Sequence, residues 1–405
     1  MSAIKKIIQF LGGLLFFYRK KEIDSKKVLS VLVVSLYFRG DLLFHTPVIK
    51  VLNYLIPGAK IDFWVKSRSS ELLEYNSRIR KVMVFDDLKT ADYNEKSYLN
   101  LPGKLKFLRK LRKEKYDLVI DLTGKYSTAI FTLLSGSRYS IGINYNGFGF
   151  LYSKFIDLNT SHSKGHLIDK YLNVIKEGFS VTNEEWKGII EKVKPKPELY
   201  IPQKIKEEID KIFIELGIDS EKPLVVIHTT AGWNAKELNA KVFSNLLNYL
   251  KKGSKYYMMI VGSEWDEEKV REIYRDLDKN LFPDIKSFFR PLSMLASSEV
   301  IRRSDVFVGS DSFPLHTTGA FGVPSVGLFG PTNPDFSNPV GVQHLVVYHK
   351  LYCSASDSEQ FCTRNAGKTC ATIDCMKLIT VSEIAAKVEL LVARYYGRVS
   401  QNKHH

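Results

Sequence analysis

Cysteine is scarce in this chain and unevenly placed. Only four of the 405 residues are cysteines, and all lie beyond residue 350, at Cys353, Cys362, Cys370 and Cys375. Small secreted domains that depend on disulfides carry cysteines throughout, so that class is excluded. The spacing C-x8-C-x7-C-x4-C matches none of the paired C-x2-C zinc patterns. Free thiols, two disulfides and one metal ion held by four thiolates are three open states of this cluster.

Long apolar runs are also missing. An N-terminal apolar stretch, residues 7–18, is too short for a membrane-spanning helix, which needs about 20 residues. It is similar to the apolar part of a signal peptide, but Arg19-Lys20-Lys21 follows it instead of a small-residue cleavage site. Residues 1–27 are therefore interpreted as a membrane-associating segment that lies in the lipid interface. A helix packed on the protein's own surface and a cleaved signal are the alternatives.

Acidic residues are outnumbered. The chain has 44 aspartates and glutamates against 59 lysines and arginines, which gives a net charge of +15. This excess favours anionic partners such as nucleic acid, acidic membranes or phosphorylated substrates. We find no zinc-finger, RNP or helix-turn-helix pattern that would favour nucleic acid. Much of the positive charge lies in residues 1–27 and 104–115, which are either solvated surface or attracted to anionic lipid.

Short apolar runs alternate with helical segments along most of the chain. This alternation predicts an α/β protein with parallel, doubly wound sheets. The glycine fingerprint of dinucleotide-binding folds is absent from the first strand–helix turn, which argues against a dehydrogenase. The predicted strands are residues 28–36, 61–65, 81–85, 118–122, 138–143, 224–228, 256–261, 306–308 and 325–329, and the main predicted helices are residues 42–55, 104–115, 241–251 and 381–396.

The chain length and a change in composition indicate how the domains are arranged. A chain of this length is expected to form two or three domains, and residues 180–222, rich in lysine, glutamate and proline, read as the linker between them. We predict an N-terminal domain over residues 28–190 and a second domain over 200–345. A cysteine-containing loop and a C-terminal helix over 346–405 follow, and Thr380 and Glu383 are spaced as a capping box for that helix.

The most informative stretch is residues 305–334. Its first strand ends in a polar turn with Asp311 and Ser312, and the helix that follows contains His316. In open α/β sheets, ligands bind where strands end, and helix N-termini favour phosphate groups. These three residues therefore predict a site for a phosphorylated ligand.

The same stretch resembles the C-terminal signature of glycosyltransferase family 9, the bacterial heptosyltransferases. The resemblance covers roughly residues 28–395, and Phe313 replaces a glycine of the family pattern. It implies the GT-B fold, in which two Rossmann-like domains face each other across a cleft, and an inverting glycosyltransferase of class EC 2.4. The matching residues are Asp311, Ser312, His316, Pro324, Leu328, Phe329, Gly330, Pro331, Thr332 and Pro334.

The resemblance also implies a catalytic base. Arg39-Gly40-Asp41, followed by Thr46-Pro47, is similar to a family pattern whose aspartate is taken as the general base. An inverting transfer needs a carboxylate that removes the proton of the acceptor hydroxyl as its oxygen attacks the anomeric carbon. Asp41 is assigned this role, the alternative being an N-cap for a helix that begins at Leu42.

The loop after residue 228 is similar to the family's His-Pro-Gly-Ala-x-Trp-x-x-Lys pattern, with Thr229-Thr230 in place of Pro-Gly. The resemblance implies that Thr229, Thr230 and Lys236 hold the diphosphate of the donor, with the lysine as a point cation. A plain surface lysine is the alternative. Glu264 stands where family members often have an acidic residue near the ribose, and solvated surface is its alternative.

Further donor and acceptor residues follow from the resemblance. Asp311 and Ser312 would orient the donor, and His316 would bind phosphate, support the loop or be a core histidine bonded to backbone. On the acceptor side, His166 lies in a sequence similar to a family pattern, with Lys164 and Lys170 placed to meet acceptor phosphates. A helix surface explains these three equally well. Asp121, at the end of a predicted strand, is a further candidate.

The implied reaction is transfer of heptose from ADP-heptose to a lipopolysaccharide-type, lipid-linked acceptor. The enzyme would act in the bacterial cytoplasm, peripherally at the inner face of the plasma membrane, without a cofactor or a catalytic metal. Phe313 and Thr229-Thr230 leave a different nucleotide-sugar donor open. Two readings without catalysis also stay open. One is a protein that only binds glycans or nucleotides, which would be expected to have lost Asp41 or Lys236, and the second is a membrane-associated scaffold.

Overall fold

The computed structural model describes residues 21–86, 101–145, 147–158, 165–364 and 366–396. These residues form two compact units that divide after Tyr200. Within this part of the chain, no helix combines the length and the hydropathy that crossing a membrane requires. The predicted interfacial segment, apart from its last residues, and the candidate Lys164 lie outside the described residues.

The first unit is built on a parallel sheet whose order is β3-β2-β1-β4-β5-β6. Residues 31–34 of the central strand β1 are almost fully buried, as expected where helices cover both faces of a parallel sheet. The order of strands reverses between β1 and β4, and ligands bind at such reversals in doubly wound folds. The described strands are β1 (Ser30–Ser35), β2 (Lys60–Val65), β3 (Ile79–Val84), β4 (Leu118–Asp121), β5 (Tyr139–Ile143) and β6 (Lys154–Ile156).

The helix predicted over residues 42–55 is two helices, because Pro47 opens the second one. Proline lacks an N–H group and is favoured in the first turn, where that group has no partner within the helix. The first of the two begins at Arg39, three residues earlier than predicted. The helices of this unit are α1 (Arg39–His45), α2 (Pro47–Leu55), α3 (Ser67–Ser70), α4 (Leu101–Glu114), α5 (Tyr126–Leu134), α6 (Leu167–Gly178) and α7 (Asn183–Val193).

The second unit contains a parallel sheet whose order is β11-β10-β9-β7-β8. Its strand order reverses between β7 and β9, which pair directly, with His228 opposite Gly309. The bounds of β7 and β10 are those that the sequence predicts. The described strands are β7 (Leu224–His228), β8 (Tyr257–Ile260), β9 (Val306–Ser310), β10 (Ser325–Phe329) and β11 (His344–Tyr348).

Most of the predicted linker, residues 180–222, is helical rather than extended. Lysine and glutamate favour helices, and the longest stretch without helix is residues 194–202. The domain bounds inferred from the sequence stay a prediction. The helices of this part of the chain and of the second unit are α7, already given, and α8 (Gln203–Glu215), α9 (Ala240–Lys251), α10 (Glu267–Arg275), α11 (Met294–Arg303), α12 (Phe313–Phe321), α13 (Pro334–Ser337), α14 (Asp374–Lys377) and α15 (Val381–Tyr395).

The last helix has the cap that the sequence predicts. The Thr380 hydroxyl accepts a hydrogen bond from the Glu383 N–H at 3.4 Å, and the Glu383 carboxylate accepts one from the Thr380 N–H at 2.9 Å. Two donors at the helix start are thereby satisfied. The predicted capping box is confirmed.

The four cysteines are free thiols that line one cavity of about 300 Å³, together with Gly330 and Pro331. The cavity lies in the long irregular segment between β11 and α14. In the described part of the chain, no three histidine, cysteine, aspartate or glutamate side chains are grouped so that they could hold a metal ion. The four cysteines are therefore not joined by disulfides in the structure.

Candidate functional site

The candidate donor residues lie at the carboxyl edge of the second sheet, at the reversal of its strand order. The loop after β7 carries Lys236, and the turn after β9 carries Asp311. Because β7 and β9 are paired in parallel, both segments leave the sheet at the same edge. The fold therefore brings together two motifs that are 75 residues apart in sequence.

Lys236 and Asp311 form a buried ion pair. The Lys236 Nζ donates to the Asp311 carboxylate at 2.6 Å and to its carbonyl oxygen at 3.1 Å, and it lies 3.9 Å above the centre of the Trp233 ring. The other carboxylate oxygen of Asp311 accepts a hydrogen bond from the Ser337 hydroxyl at 2.9 Å. Lys236 is only 8% exposed, so the alternative of a plain surface lysine is wrong.

The ion pair determines the charge state of Asp311. Burial alone would raise the pKa of this carboxyl, but the charges of Lys236 and His316 outweigh burial and hold the pKa well below its usual range. The His316 Nε2 lies 3.5 Å from the Asp311 carboxylate, so this buried histidine faces the site. Asp311 is thus a fixed carboxylate with a cation on one side.

Helix α12 begins directly after this aspartate. Ser312 is its N-cap residue, but its hydroxyl donates to the Ser310 carbonyl at 3.1 Å and makes no capping bond. The first turn of a helix leaves its N–H groups without partners inside the helix. Pro314 has no such group, so Phe313 and Leu315 supply the N–H groups of this turn. These are suited to an anionic ligand.

The two threonines after β7 differ in their surroundings. Thr229 is buried, whereas the Thr230 hydroxyl donates to Asp266 at 2.6 Å and lies 3.4 Å from the His228 Nε2. Burial lowers the pKa of His228, which favours the neutral ring. The sequence did not point to Asp266 or His228 as partners of Thr230.

Asp266 also fixes the loop after β8. Its second carboxylate oxygen accepts hydrogen bonds from the Ser263 N–H at 2.6 Å and the Ser263 hydroxyl at 2.9 Å. The Ser-x-x-Asp spacing was a capping signal that could have identified it. Glu264, between these two residues, is exposed, so its side chain is open to solvent.

The irregular cysteine segment contacts both donor loops. The Trp233 Nε1 donates to the Ala366 carbonyl at 3.0 Å, and the Cys362 N–H donates to the Pro331 carbonyl at 2.9 Å. The Asn333 amide donates to the carbonyls of Ser356 and Glu359, both at 3.2 Å. The segment therefore supports the loop after β7 and the loop after β10.

In the first unit, Asp41 lies in the first turn of α1. Phe38 is the N-cap residue of this helix, so the alternative of Asp41 as the N-cap is wrong. Three tyrosines surround the aspartate. Burial, with the charge of Asp41, raises the pKa of Tyr145 to about 12, and the same two causes contribute to the raised pKa values of Tyr37 and Tyr171.

His45 lies one turn after Asp41 and is fully buried. Its Nδ1 is 2.6 Å from the Ser35 hydroxyl, and its ring contacts the Tyr171 ring edge-on with centroids 4.0 Å apart. Burial lowers the pKa of His45 to about 3. The neutral imidazole is therefore part of the packing beneath the candidate base.

This histidine predicts a pH dependence of stability. Its pKa is lower in the folded state than the ordinary value of about 6.5. Between these values the unfolded chain binds the proton and the folded chain does not, so stability falls as the pH drops from 6.5 towards 3. We expect a contribution of about 1.4 kcal/mol per pH unit, measured by urea unfolding at several pH values.

Two variants isolate the contribution of this ring. His45→Phe should flatten the pH dependence, because the group that titrates is gone. Ser35→Ala removes the hydrogen bond of His45 but keeps the imidazole, and should retain the slope. Equal slopes in the wild type and His45→Phe would show that the ring does not cause the effect.

Asp121 has a structural role at the end of β4. One carboxylate oxygen accepts hydrogen bonds from the N–H groups of Thr123 at 2.9 Å and Gly124 at 3.0 Å, and the other accepts from the Tyr152 hydroxyl at 2.7 Å. Burial raises the pKa of this carboxyl, although the hydrogen bonds that it accepts act to lower the pKa. Its oxygens hold the loop after β4, so we do not retain it as a ligand-binding candidate.

Two of the candidate acceptor residues, His166 and Lys170, lie at the start of α6. His166 is the N-cap residue of this helix, where its Nδ1 accepts a hydrogen bond from the Ile168 N–H at 3.2 Å. Its ring packs edge-on against Phe44 of α1, with centroids 5.3 Å apart. One turn further, burial lowers the pKa of Lys170. His166 therefore lies beside the helix that carries Asp41.

Comparison with known proteins relates the chain to one family. The model of glycosyltransferase family 9 (heptosyltransferase) matches residues 104–366. The chain is similar to lipopolysaccharide heptosyltransferase 3 of Escherichia coli, with 26% identity over 306 residues, or 75% of this chain and 84% of the relative. It is also similar to lipopolysaccharide heptosyltransferase 2 of Escherichia coli strain K12, with 21% identity over 80% of this chain and 90% of the relative.

Solved structures show the same fold. The family 9 glycosyltransferase of Veillonella parvula superposes with a TM-score of 0.75 at 19% identity, covering 92% of this chain and 99% of that one. The ADP-heptose lps heptosyltransferase II of Escherichia coli superposes with a TM-score of 0.69 at 17% identity, covering 90% and 99%. The fold of this chain is thus the GT-B type, with a Rossmann-like sheet in each unit.

Proposed function

Because the chain belongs to glycosyltransferase family 9 and is a glycosyltransferase of class EC 2.4, we propose that it transfers heptose from ADP-heptose to a lipopolysaccharide-type acceptor. The observation that carries this proposal is the buried Lys236–Asp311 pair at the start of α12. It combines a fixed carboxylate for sugar hydroxyls with a cation and helix N–H groups for a diphosphate. Relatives named as lipopolysaccharide heptosyltransferases support the choice of donor and acceptor.

Asp41 is the proposed general base. Its carboxylate accepts the proton of the acceptor hydroxyl while the hydroxyl oxygen forms a bond to the anomeric carbon. The bond from that carbon to the diphosphate breaks on the opposite face, which inverts the configuration and releases the nucleoside diphosphate. The three surrounding tyrosines have raised pKa values, so they stay protonated beside this carboxylate, and the Tyr37 hydroxyl donates to the Thr123 carbonyl at 2.8 Å.

Lys236 is the proposed cation for the leaving diphosphate. Its ammonium has three N–H groups, of which Asp311 takes two, so one is left for a phosphate oxygen. Because Asp311 offsets part of the lysine charge, the N–H groups of Phe313 and Leu315 supply further stabilisation of the developing negative charge. Ser312, at the N-cap, and His316, next to Asp311, complete the donor side.

The remaining donor residues take roles that their contacts allow. The Thr230 hydroxyl already donates to Asp266, so it can only accept from the donor, whereas Thr229 is the threonine proposed to bind phosphate. Glu264 is exposed and is proposed to accept hydrogen bonds from ribose hydroxyls. His166 and Lys170, with Lys164, are the proposed acceptor contacts. A lipid-linked acceptor places the enzyme peripherally at the inner face of the plasma membrane.

A different nucleotide-sugar donor is the second candidate. It is favoured by Phe313, which stands in the first position of α12 where the family pattern has glycine. A phenyl ring at this position narrows the space beside the helix N-terminus, which would affect the sugar. The base Asp41 and the cation Lys236 serve either donor.

A panel of nucleotide sugars separates these candidates. Because a ligand that binds only the folded state raises Tm, and raises it more when it binds more tightly, we expect ADP and ADP-heptose to raise Tm in a thermal-shift assay. UDP- and GDP-sugars should leave it unchanged. A response specific to a UDP- or GDP-sugar would overturn the choice of donor. Binding of ADP-heptose without turnover on a lipopolysaccharide acceptor would instead favour a non-catalytic binding protein.

A further inference from the structure

Helix α4 turns one apolar side to the first unit and a strongly basic side to solvent. Phe107 and Leu111, one turn apart, are buried in a cluster that includes Trp64 and Phe131. Because these two residues lie on one side of the helix, the side chains on its opposite side face solvent. The exposed basic side chains of this outer face are Lys106, Arg109, Lys110, Arg112 and Lys113.

Among the described residues, no acidic side chain compensates the charge of this face. Glu114 is the one acidic residue of the helix, and it pairs with Arg80 at 2.9 Å and with Lys81, both outside α4. Within the part of the chain that the structure describes, none of the five basic side chains forms an ion pair. A helix of this length spans roughly 20 Å, so five positive charges share a short strip of surface.

Apolar side chains lie along the same face. Leu101 is 60% exposed and Leu105, one turn later, is 44% exposed. Leucines beside arginines and lysines on one helix side are typical of helices that lie on a lipid interface.

An open cavity adjoins this face. It measures about 550 Å³, and its lining includes the rings of Phe85 and Phe107 together with Lys106, Arg109, Lys110 and Lys113. This lining combines two apolar rings with four cations, which matches a group that is apolar at one end and phosphate-bearing at the other. A phospholipid has this chemistry.

We propose that the outer face of α4 docks on an anionic lipid bilayer. The five cations contact lipid phosphates, and Leu101 and Leu105 enter the interface between headgroups and acyl chains. This gives the first unit a membrane contact of its own, separate from the predicted contact of residues 1–27. This contact rests on the membrane location given in the proposed function. Its test measures lipid binding and requires no turnover.

Co-sedimentation of the full chain with vesicles tests the proposal. One set of vesicles is phosphatidylcholine alone, and the other is phosphatidylcholine with phosphatidylglycerol. We expect binding to the second set only, and a loss of at least tenfold in the partition coefficient for the variant Lys106→Gln/Arg109→Gln/Lys110→Gln/Lys113→Gln. A matched control, Lys187→Gln/Lys204→Gln/Lys211→Gln/Lys241→Gln, removes the same charge from exposed positions on other helices and should lose far less.

Four outcomes would overturn the proposal. Equal losses in the two variants would mean that only net charge matters, and unchanged binding of the α4 variant would mean that this face makes no contact with lipid. Competition by inorganic phosphate at equal ionic strength, or tighter binding to a DNA duplex than to vesicles, would assign the face to another anion. The donor site is not part of this face, so the α4 variant should keep the thermal shift that ADP-heptose causes in the wild type. Loss of vesicle binding can thereby be told apart from failure of the proposed reaction.

Discussion

Asp41→Asn is expected to lower turnover by about 100- to 10,000-fold while donor affinity stays within a few-fold of the wild type. The amide keeps the shape of the side chain but cannot accept the proton of the acceptor hydroxyl. Because Asp41 lies in the first turn of α1 and is not its cap, the exchange should leave the helix intact. Initial rates with a purified acceptor and thermal shifts with the donor measure the two effects.

Asp24→Asn is the matched control for this variant. It removes a carboxylate that pairs with Lys27 at the surface, at 2.9 Å, and should keep full activity. Because the low-pH limb of the rate profile reflects protonation of the general base, loss of the Asp41 carboxylate should also remove this limb. If the asparagine variant kept more than a tenth of the wild-type rate, another group would have to be the base.

Lys236→Ala is expected to cost both stability and activity. It leaves the Asp311 carboxylate buried without its cation, and breaking a buried pair in this way typically costs about 3–5 kcal/mol. The variant should also lose the cation for the leaving diphosphate, which we expect to lower kcat by at least 100-fold. Calorimetric Tm values and initial rates report the two losses separately.

The double variant Lys236→Met/Asp311→Asn distinguishes the ion pair from simple loss of packing. Removing both charges takes away the uncompensated carboxylate, so the double variant should be more stable than the sum of the single changes predicts. Additive losses would show that the two charges do not interact. Catalysis should stay low in the double variant, because it regains stability but still lacks the cation for the leaving diphosphate.

The pair also has a defined pH range. The pKa of Asp311 is depressed in the folded state, so it contributes stability above the ordinary value of about 3.9 and loses that contribution as the pH falls below it. Lys236→Ala should remove this dependence. Urea unfolding of the wild type and of Lys236→Ala between pH 5 and pH 3 gives the slope of unfolding free energy against pH for each protein. The contribution of His45 is present in both and cancels in the comparison.

The sequence predicted the local elements where a single physical signal was strong. β7 and β10 are short apolar runs buried on both faces, and their predicted bounds match. The break before Pro47 was also visible in the sequence, but the apolar periodicity across it favoured one helix. The helices at residues 183–193 and 203–215 were missed because their charge was interpreted as a linker.

The candidate site was predictable as motifs and not as contacts. Lys236 and Asp311 were each identified, but their pairing depends on β9 lying beside β7, with β8 on the other side. Asp266 emerged only from its bonds to Thr230 and Ser263. The cap formed by His166 was not expected, because histidine is not among the residues favoured at that position.

The cysteine segment has a consequence for how such chains can change in evolution. It is irregular and near the C-terminus, where insertions are usually tolerated, yet its backbone holds Trp233 and Pro331, which flank the proposed phosphate contacts. A change in its length would therefore alter donor binding from a distance. Segments 229–236, 330–333 and 353–375 are expected to be inherited as one block, and exchanging C-terminal ends between relatives should disrupt the donor site even when both parents are active.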